Sequence, residues 1–136
     1  MKRWLLDSGI ATDFFNLREP VCSRVAQAFQ RGDVIGTGTP VLGELLAGIE
    51  NSDTRMRNLN RLRRGLSRLR LWPHDKDAAE EFGRVQAELR RIGRPMQQID
   101  VQIAAIAFAL GNCTVVTKDS DLSRVPNLDV VDWSAT

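Results

Sequence analysis

A chain of 136 residues with 43% hydrophobic and 26% charged residues, 10 glycines and 5 prolines has an ordinary globular composition. Its length suits one domain of roughly 100–200 residues with a core of its own, which excludes collagen, a disordered tail and a disulfide-stapled miniprotein. Nineteen Lys and Arg against 17 Asp and Glu leave a net charge of +2, too near neutral to point to a partner.

Arg3 to Asp7 reads as a short buried strand that ends abruptly at a carboxylate. Asp7 also cuts the apolar run Trp4-Leu5-Leu6 far short of the roughly 7–15 residues a secretory leader needs. Ile10 to Leu17 begins a helix with Asp13 on its polar side. Glu19 to Arg31 is a second helix, with Pro20 in its first turn and Val21, Val25, Ala28 and Phe29 at helical spacing. Gly32 ends it, and Asp33 to Thr37 forms a second strand. Thr39-Pro40 opens a further helix with Thr39 as its cap and Val41, Leu45 and Ile49 as its inward stripe.

Arginine outnumbers lysine 16 to 3, and seven arginines fall between Arg55 and Arg70, a stretch without an acid. They lie on a helix from Thr54 to Leu69 whose leucines at 59, 62, 66 and 69 share one face. Such segregated charge suggests nucleic acid or an acidic partner. Leu71-Trp72 is a very short third strand stopped by Pro73. Asp75 to Ile92 is helical, with acids in its first turns and Arg90 and Arg91 in its last, as the helix dipole favours. Gly93-Arg94-Pro95 breaks it. Ile99 to Leu110 is an apolar helix closed by Gly111-Asn112. Thr114 to Thr117 is a strand followed by a loop rich in Asp and Ser, and Leu128 to Val131 is the last strand.

The longest apolar run, Ile103 to Leu110, has eight residues, whereas a membrane-spanning helix needs about 20. Cys22 and Cys113 stand far apart in apolar surroundings and read as reduced core thiols. The expectation is a soluble, cytoplasmic protein with no membrane partner. Strands alternating with helices predict an α/β fold, a three-layer α/β/α arrangement around a mostly parallel sheet, in a single domain over residues 1–136.

An open parallel sheet binds ligands beyond the carboxyl ends of its strands. Asp7 ends the first strand, and Asp119 and Asp121 follow the Thr114–Thr117 strand. Glu44 and Asp100 sit inside apolar helical segments, where a carboxylate needs a cation, water or a metal. Each acid alone also has an ordinary structural use, as a helix or turn cap or as an arginine partner. If they converge, the lone His74 and the scattered cysteines argue against zinc. An all-oxygen cage suits Mg²⁺ or Mn²⁺, ions that activate water and clamp phosphate oxygens in phosphodiester hydrolysis.

Leu5-Leu6-Asp7-Ser8, Val41-Leu42-Gly43-Glu44-Leu45, Gln98 through Ala107 and Val115-Val116-Thr117-Lys118-Asp119-Ser120-Asp121-Leu122 resemble, in order and spacing, the motifs of the PIN domain. The segment from Val125-Pro126-Asn127-Leu128 to Asp132-Trp133 is similar to the end of the VapC toxins, PIN-domain members of type II toxin–antitoxin modules. The resemblance implies a Mg²⁺- or Mn²⁺-dependent endoribonuclease cutting structured RNA of the tRNA or rRNA class. The family's acidic positions match Asp7, Glu44 and Asp100. The fourth falls on Asp119 or Asp121, with Asp119 favoured and Asp121 in support. Asp7, Asp100 and Asp119 are the implied metal ligands, with Glu44 ligating or orienting water. Ser8 and Thr117 match supporting hydroxyl positions, while Gly9 departs from the family's frequent asparagine.

A homodimer and a small VapB-type antitoxin covering the acidic groove are implied as well. Arg55, Arg61, Arg64 and Arg68 are then candidates for contacting antitoxin or RNA. Alanine at Asp7 or Asp100 is expected to abolish cleavage and leave the fold intact. Two alternatives stand beside this reading: a PIN-like nuclease of RNA processing outside any toxin–antitoxin module, and a non-enzymatic receiver-like signalling domain.

Overall fold

The computed structural model describes residues 1–135. Five strands, β1 (Arg3–Leu6), β2 (Val34–Gly38), β3 (Arg70–Trp72), β4 (Cys113–Val116) and β5 (Val130–Val131), form one sheet in the order β3-β2-β1-β4-β5. Every neighbouring pair is parallel. Six α-helices are interspersed, α1 (Ser8–Phe15), α2 (Val21–Gln30), α3 (Thr39–Glu50), α4 (Arg55–Leu66), α5 (Lys76–Arg91) and α6 (Gln98–Leu110), and a 3₁₀ turn spans Leu122–Arg124.

Parallel strands need crossovers, and right-handed crossovers decide which face each helix covers. From β1 the chain steps outward to β2 and β3, which puts α1 to α4 on one face. It then returns past β1 to β4, which puts α5 and α6 on the other. The packing agrees: α5 lies chiefly on α6, α1 touches α2, α3 and α4, and α3 also reaches α6. The expected three layers are present, and the sheet is wholly parallel. The order also excludes a receiver-like domain, whose doubly wound sheet runs 2-1-3-4-5.

β1 is the innermost strand and reads accordingly, with Leu5 and Leu6 fully buried. Val115, Val116, Ile35 and Ala104 join them in one continuous core with Ile10, Phe14, Val25, Leu89 and Ile103. Gly65 lets α4 approach α1 closely, since a Cβ there would lie 2.1 Å from Cδ1 of Phe15.

Three local expectations change. Thr39 is the first residue of α3, not its cap, and its hydroxyl accepts the His74 amide at 3.2 Å. Asp13 does not face water but is 6% exposed. It receives Lys118 Nζ at 2.8 Å and Arg18 Nη1 at 3.7 Å. On α3, Val41 is buried and Leu42, Leu45 and Ile49 are partly so, as the inward stripe predicts, but Glu44 is exposed, as are Leu46 and Ala47 beside it. The acid is therefore solvated without a cation.

Candidate active site

Because all strands run one way, their carboxyl ends share one edge, and the connections leave β1 for β2 on one side while β4 arrives on the other. The crevice between β1 and β4 is where such sheets place ligands. Asp7 follows β1 directly, and its amide donates to Val116 O at 3.0 Å. As N-cap of α1 it accepts the Ile10 amide on Oδ1 at 3.1 Å. Its other oxygen accepts the Thr117 hydroxyl. Thr117, 2% exposed at the end of β4, in turn accepts the Asp119 amide at 2.9 Å. Asp119 Oδ1 accepts the Asp121 amide at 2.8 Å, which folds the loop back on itself.

Asp100 comes from the opposite layer, in the first turn of α6. Its carboxylate oxygen, one from Asp119 and one from Asp121 lie within 4.8 Å of one another. Burial pushes the Asp100 carboxyl up to about 6, with the charges of Asp119, Asp121, Asp7 and Glu44 adding to it in that order. Asp7 is raised by burial too, against the lowering pull of the Thr117 hydroxyl and the Ile10 amide and with a further push from Asp119. All five acids thus share one electrostatic field. Among the described residues the cation within 4 Å of any of them is Arg124, whose Nη1 is 3.7 Å from Asp121.

The predicted acids are distributed as follows. Asp100 and Asp119 meet face to face, and Asp121 stands with them as a full member of the trio. Asp7 adjoins through Thr117 and the Asp119 amide. Glu44 stands off on α3 and acts on Asp100 through its charge. Ser8 begins α1 beside Asp7, but the hydroxyl bracing that carboxylate belongs to Thr117. Of the ordinary uses weighed for each acid, Asp7 does cap α1, whereas α6 is capped by Gln97.

Among the arginines, Arg55 is held by Glu50 at 2.7 Å and Arg61 donates to Asn16 Oδ1 at 2.9 Å. The Arg68 guanidinium lies 5.2 Å from the centre of the Phe14 ring. Arg64 lines an open hollow with Arg61, Arg68, Phe15 and Leu17. A second hollow of about 320 Å³ between α1, α3 and α4 runs from Arg61 to Glu44. The Lys118–Asp13 pair is the feature that sequence reasoning missed, although Lys118 inside the Thr117–Asp121 motif was the signal that could have found it.

The donor set fits a hard divalent cation. The converging groups are carboxylates with little cationic compensation, and oxygen-only cages of this kind suit magnesium, calcium or manganese. His74 lies apart, its ring edge-on to Phe82 with centroids 5.9 Å apart. Cys22 and Cys113 are free thiols, and burial pushes the Cys113 thiol up to about 12. No helix of the described residues is long and apolar enough to cross a membrane.

Comparison with known proteins bears on this geometry. Residues 4–128 match the PIN domain. The chain is 31% identical over 134 residues to the tRNA(fMet)-specific endonuclease VapC of Shigella flexneri, covering 98% of this chain and all of that one. It is also similar to the DNA-bound VapBC structure from Salmonella typhimurium, with TM-score 0.87 and 30% identity over 98% of this chain and 99% of that one. The Rickettsia felis VapBC2 structure bound to a promoter DNA fragment gives TM-score 0.89 and 26% identity, covering 96% and 98% of the two chains.

Proposed function

The chain belongs to the PIN-domain family, a nuclease family, and to its VapC branch; from that premise we propose that it is the toxin of a VapBC-type module, an endoribonuclease that cuts RNA of the tRNA class with Mg²⁺ or Mn²⁺. The observation that carries this reading is the meeting of Asp100, Asp119 and Asp121, beside Asp7, at the carboxyl edge of a parallel sheet with so little positive charge near them. Mutual repulsion of this size persists in a fold when a cation relieves it.

Asp100, Asp119, Asp121 and Asp7 would hold the ion, with Glu44 as an outer acid facing the incoming RNA. A bound Mg²⁺ or Mn²⁺ supplies two things: a more acidic water, and neutralisation of charge building on the phosphate during in-line displacement. The protein's own residues do the positioning. Thr117 fixes the distance between the β1 and β4 acids, and Lys118 fastens the loop to α1 through Asp13. Asp100, with the carboxyl raised to about 6, is ionised at neutral pH and holds a proton below it.

The VapB partner is supported by the solved complexes of similar toxins. A chain of the antitoxin would occupy the hollow between α1, α3 and α4 that leads to Glu44, with a basic side chain toward the acids. Arg61 lines that hollow and Arg64 and Arg68 line the neighbouring one; these three, with Arg55 at the start of α4, would meet antitoxin or RNA. Exposed apolar residues such as Leu46 on α3 support self-association as a homodimer. The place of action is the cytoplasm, where the RNA is.

Purified protein with 5′-labelled initiator tRNA and Mg²⁺ should give one internal cut with a 3′-hydroxyl and a 5′-phosphate. Chelation or Asp100→Asn should remove it. Cutting that survives in EDTA, or undiminished in Asp100→Asn, sinks the assignment. Growth arrest on expression, relieved by the cognate antitoxin, separates a toxin from an RNA-maturation nuclease.

A further inference from the structure

Beside the acid trio, and sharing Asp121 with it, lies a cleft of about 440 Å³ bounded by Ile92, Gly93, Arg94, Pro95, Met96, Asp121 and Arg124. Its two walls are the turn after α5 and the 3₁₀ turn Leu122–Arg124. Both are firmly set. Gly93 takes φ +72°, which an L side chain adopts only with strain, and the Arg94 amide donates to Leu89 O at 2.8 Å. Leu122 and Val125, at 0% and 3% exposure, anchor the other wall in the core.

Arg94, from the first wall, and Arg124, from the second, line this cleft together with Asp121, an acid that belongs to both the cleft and the trio, and Arg124 Nη1 lies 3.7 Å from that carboxylate. Two cations against one carboxylate leave this lip positive, next to a pocket that is otherwise strongly negative. A phosphodiester strand drawn to the acids meets repulsion on arrival, and a positive lip is what offsets it. Guanidinium groups suit phosphate because they offer paired donors in a rigid fork. Ile92, 46% exposed, and Met96 add an apolar surface on which a base or ribose can rest.

We propose that this cleft is a phosphate subsite, in which Arg94 and Arg124 grip the RNA backbone one linkage away from the bond that is cut. The inference rests on the nuclease reading above. It assigns the two arginines a binding role and leaves the reacting atoms to the acids.

The test is equilibrium binding of fluorescently labelled initiator tRNA, followed by anisotropy over a range of salt concentrations. The protein carries Asp100→Asn so that the RNA stays intact. Arg94→Gln and Arg124→Gln should each weaken binding several-fold and reduce the slope of log Kd against log salt by about 0.7–0.9, one phosphate contact apiece. Arg90→Gln, an exposed arginine on α5 outside the cleft, should change neither quantity. Unchanged affinity and slope in both cleft variants, with RNA still bound, overturns the subsite while the nuclease reading stands. An Arg124→Gln effect seen only as tighter Mn²⁺ binding by calorimetry in the otherwise unsubstituted chain also overturns it, because the arginine then merely neutralises Asp121. Protein without these substitutions that neither binds nor cuts the RNA overturns the nuclease reading, and the subsite with it.

Discussion

Thr117 uses both functions of one buried hydroxyl, donating to Asp7 and accepting from the Asp119 amide. Thr117→Val keeps the shape and deletes both bonds, leaving a buried carboxylate oxygen and a backbone N–H short of a partner. The expected cost is about 1–3 kcal/mol of stability. Cleavage should fall at least tenfold, with Thr117→Ser retaining most of both; urea unfolding and single-turnover kinetics check it, and an indifferent valine variant would remove the bracing role. Asp100 allows a pH prediction of definite sign. Its carboxyl stands at about 6 in the folded chain against the ordinary 3.8, so the folded state binds that proton more tightly than the unfolded. Metal-free protein should therefore gain stability as pH falls from 7 through 6 toward 4 and lose it as pH rises through 6. Asp100→Asn should flatten this profile and stabilise the metal-free chain at pH 7.5 by about 1 kcal/mol, a figure already discounted for solvent screening of this half-exposed group. Thermal unfolding at pH 5 and 7.5 reads it out, and a variant no more stable at the higher pH would falsify the repulsion argument.

Helices α1 and α4 meet where Gly65 faces Phe15, and a methyl group there has no space. Gly65→Ala should cost about 1–3 kcal/mol through overpacking, while Gly83→Ala, in an open stretch of α5, should stabilise by up to about 1 kcal/mol. Equal effects of the two alanines in denaturant titrations would mean that the close approach is not what Gly65 provides. Lys118→Met tests the strap between the Thr117–Asp121 loop and α1. It leaves buried Asp13 with only the distant Arg18 guanidinium, and the expected loss is about 1–3 kcal/mol together with weaker cleavage. This element scale also shows what the sequence reveals. Strand and helix order, the punctuation at Gly32, Pro73 and Gly111, and the acids at the ends of β1 and β4 are written in local pattern. Periodicity identifies a helix face but not what covers it, so Asp13 reads as solvated although Lys118 and Arg18 reach it, and the apolar surroundings of Glu44 read as buried although α3 is largely open. The equal standing of Asp121 and Asp119 likewise depends on a loop turned by the bond between them, which residue spacing does not encode.

For the whole molecule, a cation held by Asp7, Asp100 and the Asp119–Asp121 loop would tie distant stretches of the chain together, and binding to the folded state alone raises stability by mass action. At a free concentration of 100 times Kd the gain is about 2.7 kcal/mol, or roughly 8–14 °C in Tm for a domain of this size. Differential scanning fluorimetry with Mn²⁺ should show this rise, which Asp100→Asn should largely lose; a melting point indifferent to millimolar Mn²⁺ would take the ion out of the mechanism. The pairing of β1 with β4, Arg3 against Cys113 and Leu6 against Val116, has a further consequence during synthesis. A nascent chain carries Asp7 out of the ribosome long before the residues that complete its pocket, and until β4 emerges the first strand has only β2 beside it. The acidic pocket therefore stays incomplete until Asp100 and the Thr117–Asp121 segment have both emerged, and a product cut short before them lacks the three carboxylates that meet there.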